Sequence, residues 1–545
     1  MVNSLPEVQT NSTIFSTRPV SENCILAAID IGTNSIHMVV VQIDAQLRTF
    51  TIIAREKDTV RLGNRDPKTG KLTPEAMQRA LESLQRCQDL ATSLKAEHII
   101  AVATSAMREA ANGSEFLQTI QSKLGLAVNL ISGYEEARRI YLGVLSGMEF
   151  HNQPHVIIDI GGGSTELILA DSDEHRFLSS TKVGAVRLAQ EFVTSDPISE
   201  SELHYLQAYV HGMLERAVDE LKSNLRPGEV PRLVGTSGTI KSLALIHAAQ
   251  TLGTEPNPLN GYTFSRHDLN DMIQNMASMT CSKRYELPGM SDKRAEIIVP
   301  GAIVLQEAMV MLDLHEITIC ERALREGVIV DWMLSHGLIE DKLRYQGSVR
   351  ERSVYKIAQK YRVDLPYSER IANFAISIFD QTKGKLHHWN QAERELLWAA
   401  TILHNCGVYI SHSSHHKHSY YLIRHAELLG FTEMEVELIA NLARYHRKSK
   451  PKKKHDNYSH LSDESRQMVS QVSAILRLSV ALDRRQIGAI NQVVCQYKPG
   501  AKTLHLQIVP HNPDDDCALE MWNLDLKKVV FEEEYGVKVE PKVRY

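Results

Sequence analysis

The sequence predicts an α/β protein whose two similar half-domains face one another across a cleft, followed by an all-α domain and a small α+β tail module. Two observations carry most of this. Ala28-Ile29-Asp30-Ile31-Gly32-Thr33-Asn34-Ser35 and Ile157-Ile158-Asp159-Ile160-Gly161-Gly162-Gly163-Ser164-Thr165-Glu166 are near copies, each lying between apolar runs. Each reads as strand, tight turn, strand, so one hairpin is used twice. After Gly337 the texture changes to apolar residues at helical spacing, as in Leu396, Leu397, Ala400 and Leu403 and again in Leu438, Ile439 and Leu442.

A chain of 545 residues is long enough for several domains with sizeable cores. Residues 1–23, rich in Ser, Thr and Asn with no apolar core behind basic residues, read as a disordered leader and not as a signal peptide. Residues 24–140 form the first half-domain: the first hairpin, a helix opened by Thr73-Pro74-Glu75, and an apolar strand from His98 to Ala103. Residues 141–335 form the second, from the second hairpin through further α/β structure to about Trp332. Residues 336–491 are the all-α domain, and residues 492–545 the tail, where alternation from Thr503 to Val509 predicts a strand.

Composition excludes several classes. A formal net charge of -5 argues against a general nucleic-acid binder, so a polyanionic substrate must be met by local basic patches. The seven cysteines are scattered without a CxxC pair, which predicts a reducing cytoplasm, no disulfide frame and no zinc ribbon. No window approaches the roughly eighteen apolar residues of a membrane helix.

The turns carry the chemistry. Their glycines permit positive φ and leave no Cβ to block an anion, so backbone N–H groups and the hydroxyls of Thr33, Ser35, Ser164 and Thr165 can face a phosphate. The aspartate before each turn can hold a cation or a water. In Ser132-Gly133-Tyr134-Glu135 the spacing fits a capping box, with Glu135 reaching back to the Ser132 N–H. Glu136 is left without that duty at the junction of the halves, where it can orient or deprotonate a water attacking a phosphoryl group. Asp159 and Glu166 flank the second turn on opposite strands, a magnesium site in outline, since Mg²⁺ takes one or two carboxylates plus waters and phosphate oxygens. Thr104 and Ser105 start a helix whose N-terminus attracts anions, and Arg108 offers a forked cation. A further turn, Leu233 to Ile240, reads equally as a phosphate or nucleotide loop and as a structural β-to-α turn.

Together these segments resemble the exopolyphosphatase and guanosine pentaphosphate phosphohydrolase (Ppx/GppA) family. The resemblance rests on Asp30 to Val40, Ala103 to Ala110, Ile131 to Gly143, Asp159 to Leu167 and Gly235 to Thr239, in that order, and covers nearly the whole chain after the leader. It implies the ribonuclease H-like fold of the actin and sugar-kinase superfamily. It also implies that Glu136 is the catalytic glutamate and that Asp159 and Glu166 are magnesium-associated. Thr33, Asn34, Ser35, Arg108 and Gly161, Gly162, Gly163, Ser164 and Thr165 then belong to phosphate-binding loops. The activity expected is Mg²⁺-dependent release of terminal phosphate from inorganic polyphosphate by a cytoplasmic homodimer with no nucleic acid and no membrane span. A guanosine pentaphosphate (pppGpp) 5′-phosphohydrolase keeps the same site. A kinase or ATPase of the superfamily is opposed by the Glu135-Glu136-Ala137-Arg138 helix, and a non-catalytic sensor by the intact acids.

The all-α part resembles the HD-type helical domain of long exopolyphosphatases, but its pair is His404-Asn405 where HD phosphohydrolases need His-Asp to bind metal. The basic run Arg444, Arg447, Lys448, Lys450, Lys452, Lys453 and Lys454 reads either as a solvated loop or as a track for a long polyanion.

Overall fold

The computed structural model describes residues 24–66, 68–150, 153–291, 293–339, 349–426 and 428–544; the expected leader lies outside them. Strands β1 (Ile25–Ile31) and β2 (Ile36–Asp44) form the first hairpin, and β3 (Thr49–Asp58) continues it antiparallel. Thr73 caps helix α1 (Pro74–Ser93), its side chain accepting from the Ala76 N–H, with Pro74 in the first helical position where its missing N–H costs nothing. The chain returns as β4 (His98–Ala103), parallel to β1, then passes through α2 (Ser105–Glu109) and α3 (Gly113–Leu124) to β5 (Val128–Leu130), parallel to β4. The sheet order is β3-β2-β1-β4-β5.

Helix α4 (Gly133–Leu145) leads to the second half, which opens with β6 (His155–Ile160), β7 (Thr165–Ala170) and β8 (His175–Thr181), all antiparallel. Helices α5 (Ala185–Phe192) and α6 (Glu200–Ser223) precede β9 (Arg232–Thr236), and α7 (Ser237–Leu252) follows it. Then come β10 (Thr263–Ser265), α8 (Arg266–Ala277), α9 (Cys281–Tyr285), α10 (Ile298–Met311), β11 (Glu316–Ile319) and α11 (Leu324–Ser335). The order is β10-β11-β9-β6-β7-β8. Its run β8-β7-β6-β9-β11 repeats β3-β2-β1-β4-β5 in both order and direction, so the duplicated turns sit in a duplicated ribonuclease H-like topology.

The halves exchange their last helices. Helix α4 packs on β7 and β8 of the second sheet, while α11 packs on β1 of the first. One apolar core therefore joins residues of both sheets, such as Leu26 and Ile168, to Ile140 and Ile329 of the two helices. Where α4 and α11 cross, their backbones touch: a Cβ on Gly327 would lie 1.7 Å from the Arg139 carbonyl oxygen, and one on Gly143 2.0 Å from that of Ala323.

Beyond residue 348 the described chain is helical through Asp463–Ala481, then forms β12 (Ile490–Lys498), β13 (Thr503–Pro510), a helix Ala518–Tyr535 and β14 (Lys538–Val543). Residue 492 falls inside β12, and the tail shares one apolar core with the helices: Leu504, Ile508 and Phe531 join the cluster of Ile378, Val472 and Ile475. This body is tied to the second half by Arg424, whose Nη1 donates to the Asn257 carbonyl (2.8 Å), and to the α4–β6 connection by the Arg350 N–H, which donates to Glu149 (3.0 Å). Among the described residues, no helix is long and apolar enough to cross a membrane.

Candidate active site

The two turns close alike: the Gly32 N–H donates to the Ser35 carbonyl (3.1 Å) and the Gly161 N–H to the Ser164 carbonyl (2.9 Å). Their tips meet, since a Cβ on Gly163 would lie 2.6 Å from Ser105 Oγ and 2.8 Å from Thr33 Oγ1. Beneath them is a cleft of about 150 Å³. Thr33, Asn34, Ser35, Thr104, Ser105, Glu136, Asp159 and Gly161 to Ser164 all line it.

Three expected site residues do not. Thr165 is fully buried and its hydroxyl donates to the Val183 carbonyl, so it is not available to an anion as expected. Arg108 stands behind the lining, where its Nη1 donates to the Ile131 carbonyl (2.8 Å) and to Glu136 Oε2 (3.3 Å). Glu166 lies near Glu136 and accepts from Ser180 Oγ (2.7 Å). Ser132 caps α4 by accepting from the Glu135 N–H (3.2 Å), but the Glu135 carboxylate turns to Arg138 (2.8 Å) and Arg139 (2.7 Å) and does not complete the expected box.

The floor is acidic. Glu136 is 7 % exposed, and burial, then the nearby Glu166, hold its carboxyl well above the ordinary carboxylate range against the pull of Arg108. Burial likewise raises Asp159 and Glu166, and Asp159 is raised further by Glu166, the residue directly opposite it across the β6–β7 ladder. Asp30 takes the equivalent place in the first half and is pushed up to about 6, chiefly by burial. Its Oδ1 is buried without a hydrogen-bond partner among the described residues. Two acids lining one cleft, one from each half and one with a bare buried oxygen, are a donor set that fits Mg²⁺, which completes its shell with waters and phosphate oxygens.

Two arginines that sequence reasoning missed, Arg294 and Arg325, line the cleft near these acids. Arg294, from the irregular segment before α10, donates to Thr239 Oγ1 (3.1 Å); burial pulls its pKa down to about 10 while Asp159 opposes. Arg325, at the start of α11, contacts His37 Nδ1 (3.3 Å). His37 also pairs with Ser35 Oγ (2.8 Å), and burial with Arg325, Lys57 and Arg294 pushes its pKa down to about 2, so the ring is neutral. No local motif marks Arg294 or Arg325. Alignment of the two turns, however, puts His37 at the position of Glu166, as the registers Asp30 to His37 and Asp159 to Glu166 show.

The other expected features lie elsewhere. His404 is buried, with Nδ1 against the Thr401 carbonyl (2.6 Å) and Nε2 unpartnered among the described residues. Among those residues no group of three or more His, Cys, Asp or Glu could hold a metal. None of the basic run lines the cleft. Arg444 covers the Tyr420 ring (5.5 Å), Arg447 packs on His415 (3.0 Å) and Lys450 pairs with Glu533 (2.6 Å), whereas Lys448, Lys452, Lys453 and Lys454 are exposed.

Known proteins resemble this chain over most of its length. Residues 39–336 match the Ppx/GppA phosphatase family, and residues 349–528 match the Ppx/GppA phosphatase domain III. A guanosine-5'-triphosphate,3'-diphosphate pyrophosphatase of Vibrio vulnificus is 29 % identical over 504 residues, 91 % of this chain and 95 % of the relative. The crystal structure of an exopolyphosphatase from Cytophaga hutchinsonii is 26 % identical with a TM-score of 0.52, covering 57 % of this chain and 98 % of that one.

Proposed function

Since the chain belongs to the Ppx/GppA phosphatase family, we propose that it is an exopolyphosphatase, a phosphoanhydride hydrolase that releases terminal orthophosphate from inorganic polyphosphate. The observation that carries this is the buried, proton-avid Glu136 at the floor of a cleft walled by paired glycine turns. The terminal phosphoryl group lies against the turn N–H groups and the hydroxyls of Thr33, Ser35 and Ser164, with Arg294 and Arg325 offsetting its charge. Glu136 orients the attacking water and takes its proton. Arg108 holds that carboxylate from behind, and the nearby Glu166 raises its proton affinity. Asp159 and Asp30 would hold Mg²⁺, which supplies neutralisation of charge on the phosphate oxygens. Glu166, expected beside Asp159 as a ligand, acts in this reading through its charge, raising the proton affinity of Glu136.

The cleft, about 150 Å³, has room for a phosphoryl group. The likeness to an exopolyphosphatase structure supports polyphosphate. A second reading, cleavage of the 5′ terminal phosphate of pppGpp, is favoured by the Vibrio relative. Comparing kcat/KM on long-chain polyphosphate, pppGpp and ATP separates them. Preference for polyphosphate is expected, preference for pppGpp moves the protein to the second reading, and preference for ATP overturns both. On the preferred substrate, Glu136→Gln should lower kcat by at least ~10²-fold. Near-normal turnover in that variant would remove Glu136 from its role.

A further inference from the structure

A second cavity, of about 760 Å³, opens in the helical body against helix Ala518–Tyr535. Its wall carries Arg362, Arg447, Arg484 and Lys527, none of them ion-paired with a carboxylate among the described residues. Of the two acids in the same wall, one is ion-paired and the other caps a helix. Asp364 accepts from the Tyr367 N–H (3.1 Å), and Asp483 accepts from Arg370 Nε (2.8 Å) and the Gly488 N–H (3.0 Å). The cations crowd one another: burial and then Arg477, Arg447 and Arg484 pull the Lys527 amine below its ordinary pKa. Positive charge gathered this way in a concave, partly desolvated place exceeds the negative charge beside it, and an anion would supply the balance.

Asn405 of the His404-Asn405 pair lines this place, yet its chemistry does not suit a metal. Asn405 offers an amide, and Arg447 lies 3.0 Å from His415 Nδ1, where it would repel a divalent cation. Nor does an inorganic anion account for the whole wall. Trp522 is 57 % exposed and Tyr409 56 %, the latter held edge-on by Tyr361 at 5.7 Å. Exposed aromatic faces beside Arg and Lys are what a planar base and its phosphates require. The volume suits a ligand of nucleotide size.

We propose that this cavity is a nucleotide site separate from the catalytic cleft, taking a nucleoside polyphosphate with its phosphates on Arg447, Arg484, Lys527 and Arg362 and its base stacked on Trp522.

The test uses the full-length chain carrying Glu136→Gln, titrated with GTP, ATP and inorganic tripolyphosphate while tryptophan fluorescence is read. GTP or ATP should quench the exposed Trp522, the quench should vanish in Trp522→Phe, and paired Arg484→Gln and Lys527→Gln changes should raise Kd at least ~10-fold. In the chain with Glu136 intact, the paired changes should leave kcat/KM on tripolyphosphate unaltered. On the unaltered chain, bound nucleotide should also protect Lys527 from amine acylation, read by mass spectrometry. A quench that survives Trp522→Phe, a Kd unmoved by the paired changes, or an unprotected Lys527 would overturn the site. Tripolyphosphate competing as tightly as either nucleotide would overturn the nucleotide and leave an oligophosphate pocket.

Discussion

Asp30, Glu136, Asp159 and Glu166 place a group of buried carboxyls around one cleft, and each is held above the ordinary carboxylate range with burial as the first cause. The sign for stability follows directly. The folded chain keeps protons that the unfolded chain has released, so these groups lower stability progressively as pH rises from about 4, the ordinary carboxylate pKa, through their folded values. For Asp30 that window closes at about 6. Asp159→Asn removes one such group without changing its shape. In metal-free buffer the variant should melt a few degrees above the unaltered chain at ~pH 8, and the gap should close towards ~pH 4. Equal melting temperatures at both pH values in a thermal-shift series would mean the carboxyls are not strained there. Adding Mg²⁺ should raise the melting temperature of the unaltered chain more than that of Asp159→Asn, because a ligand bound only by the native state stabilises it. The place of Glu136 in the cleft was legible because the helix opened by Ser132 lies at the junction of the halves, although the capping duty that set Glu135 apart is not what holds it: that carboxylate pairs with Arg138 and Arg139. Arg294 and Arg325 were not legible, because only the fold carries them to the cleft.

Among elements, the crossing of α4 and α11 decides whether the two sides of the site meet, for Glu136 rides on one helix and Arg325 on the other. Gly327→Ala would press a methyl carbon to 1.7 Å from a carbonyl oxygen, and backbone cannot yield as a flexible side chain can. The helices must part, at a cost of about 1–3 kcal/mol. Both melting temperature and kcat should fall. Gly212→Ala in α6, where nothing lies within 4 Å of the new carbon, is the control and should be neutral or slightly stabilising. Equal behaviour of the two variants would show that the crossing does not set the site. The hairpins were legible because glycine turns between apolar runs are local signals. The exchange of helices was not, since Gly143 and Gly327 each look like an ordinary helical glycine until the partner is known. The tail's strands could likewise be read from alternation, while its sharing of the helical core rests on contacts distant in sequence.

For the molecule as a whole, a net charge of -5 sets a background that repels polyphosphate, and Lys452, Lys453 and Lys454 stand exposed against it. If these lysines guide long chains, replacing all three with Gln should weaken affinity for long polyphosphate and flatten its salt dependence, with each lost ionic contact lowering the slope by up to about one unit, by analogy with nucleic acids. Hydrolysis of a short oligophosphate should stay the same. Equal losses on long and short substrates, or none on either, would make the run a solvated loop.

The exchanged helices have one more consequence, for how this chain can be divided. Each sheet is covered by a helix from the other half, α4 on β7 and β8 and α11 on β1, so neither half closes its own core. Cut between residues 150 and 153, the protein should behave as a split protein. The piece ending after α4 would be left with an unpartnered apolar helix, and the remainder with bare strands, so each alone should aggregate. Expressed together they should find one another and regain phosphate release, by fragment complementation. Soluble, independently folded pieces would show that the seam between the halves is a linker and not a shared core.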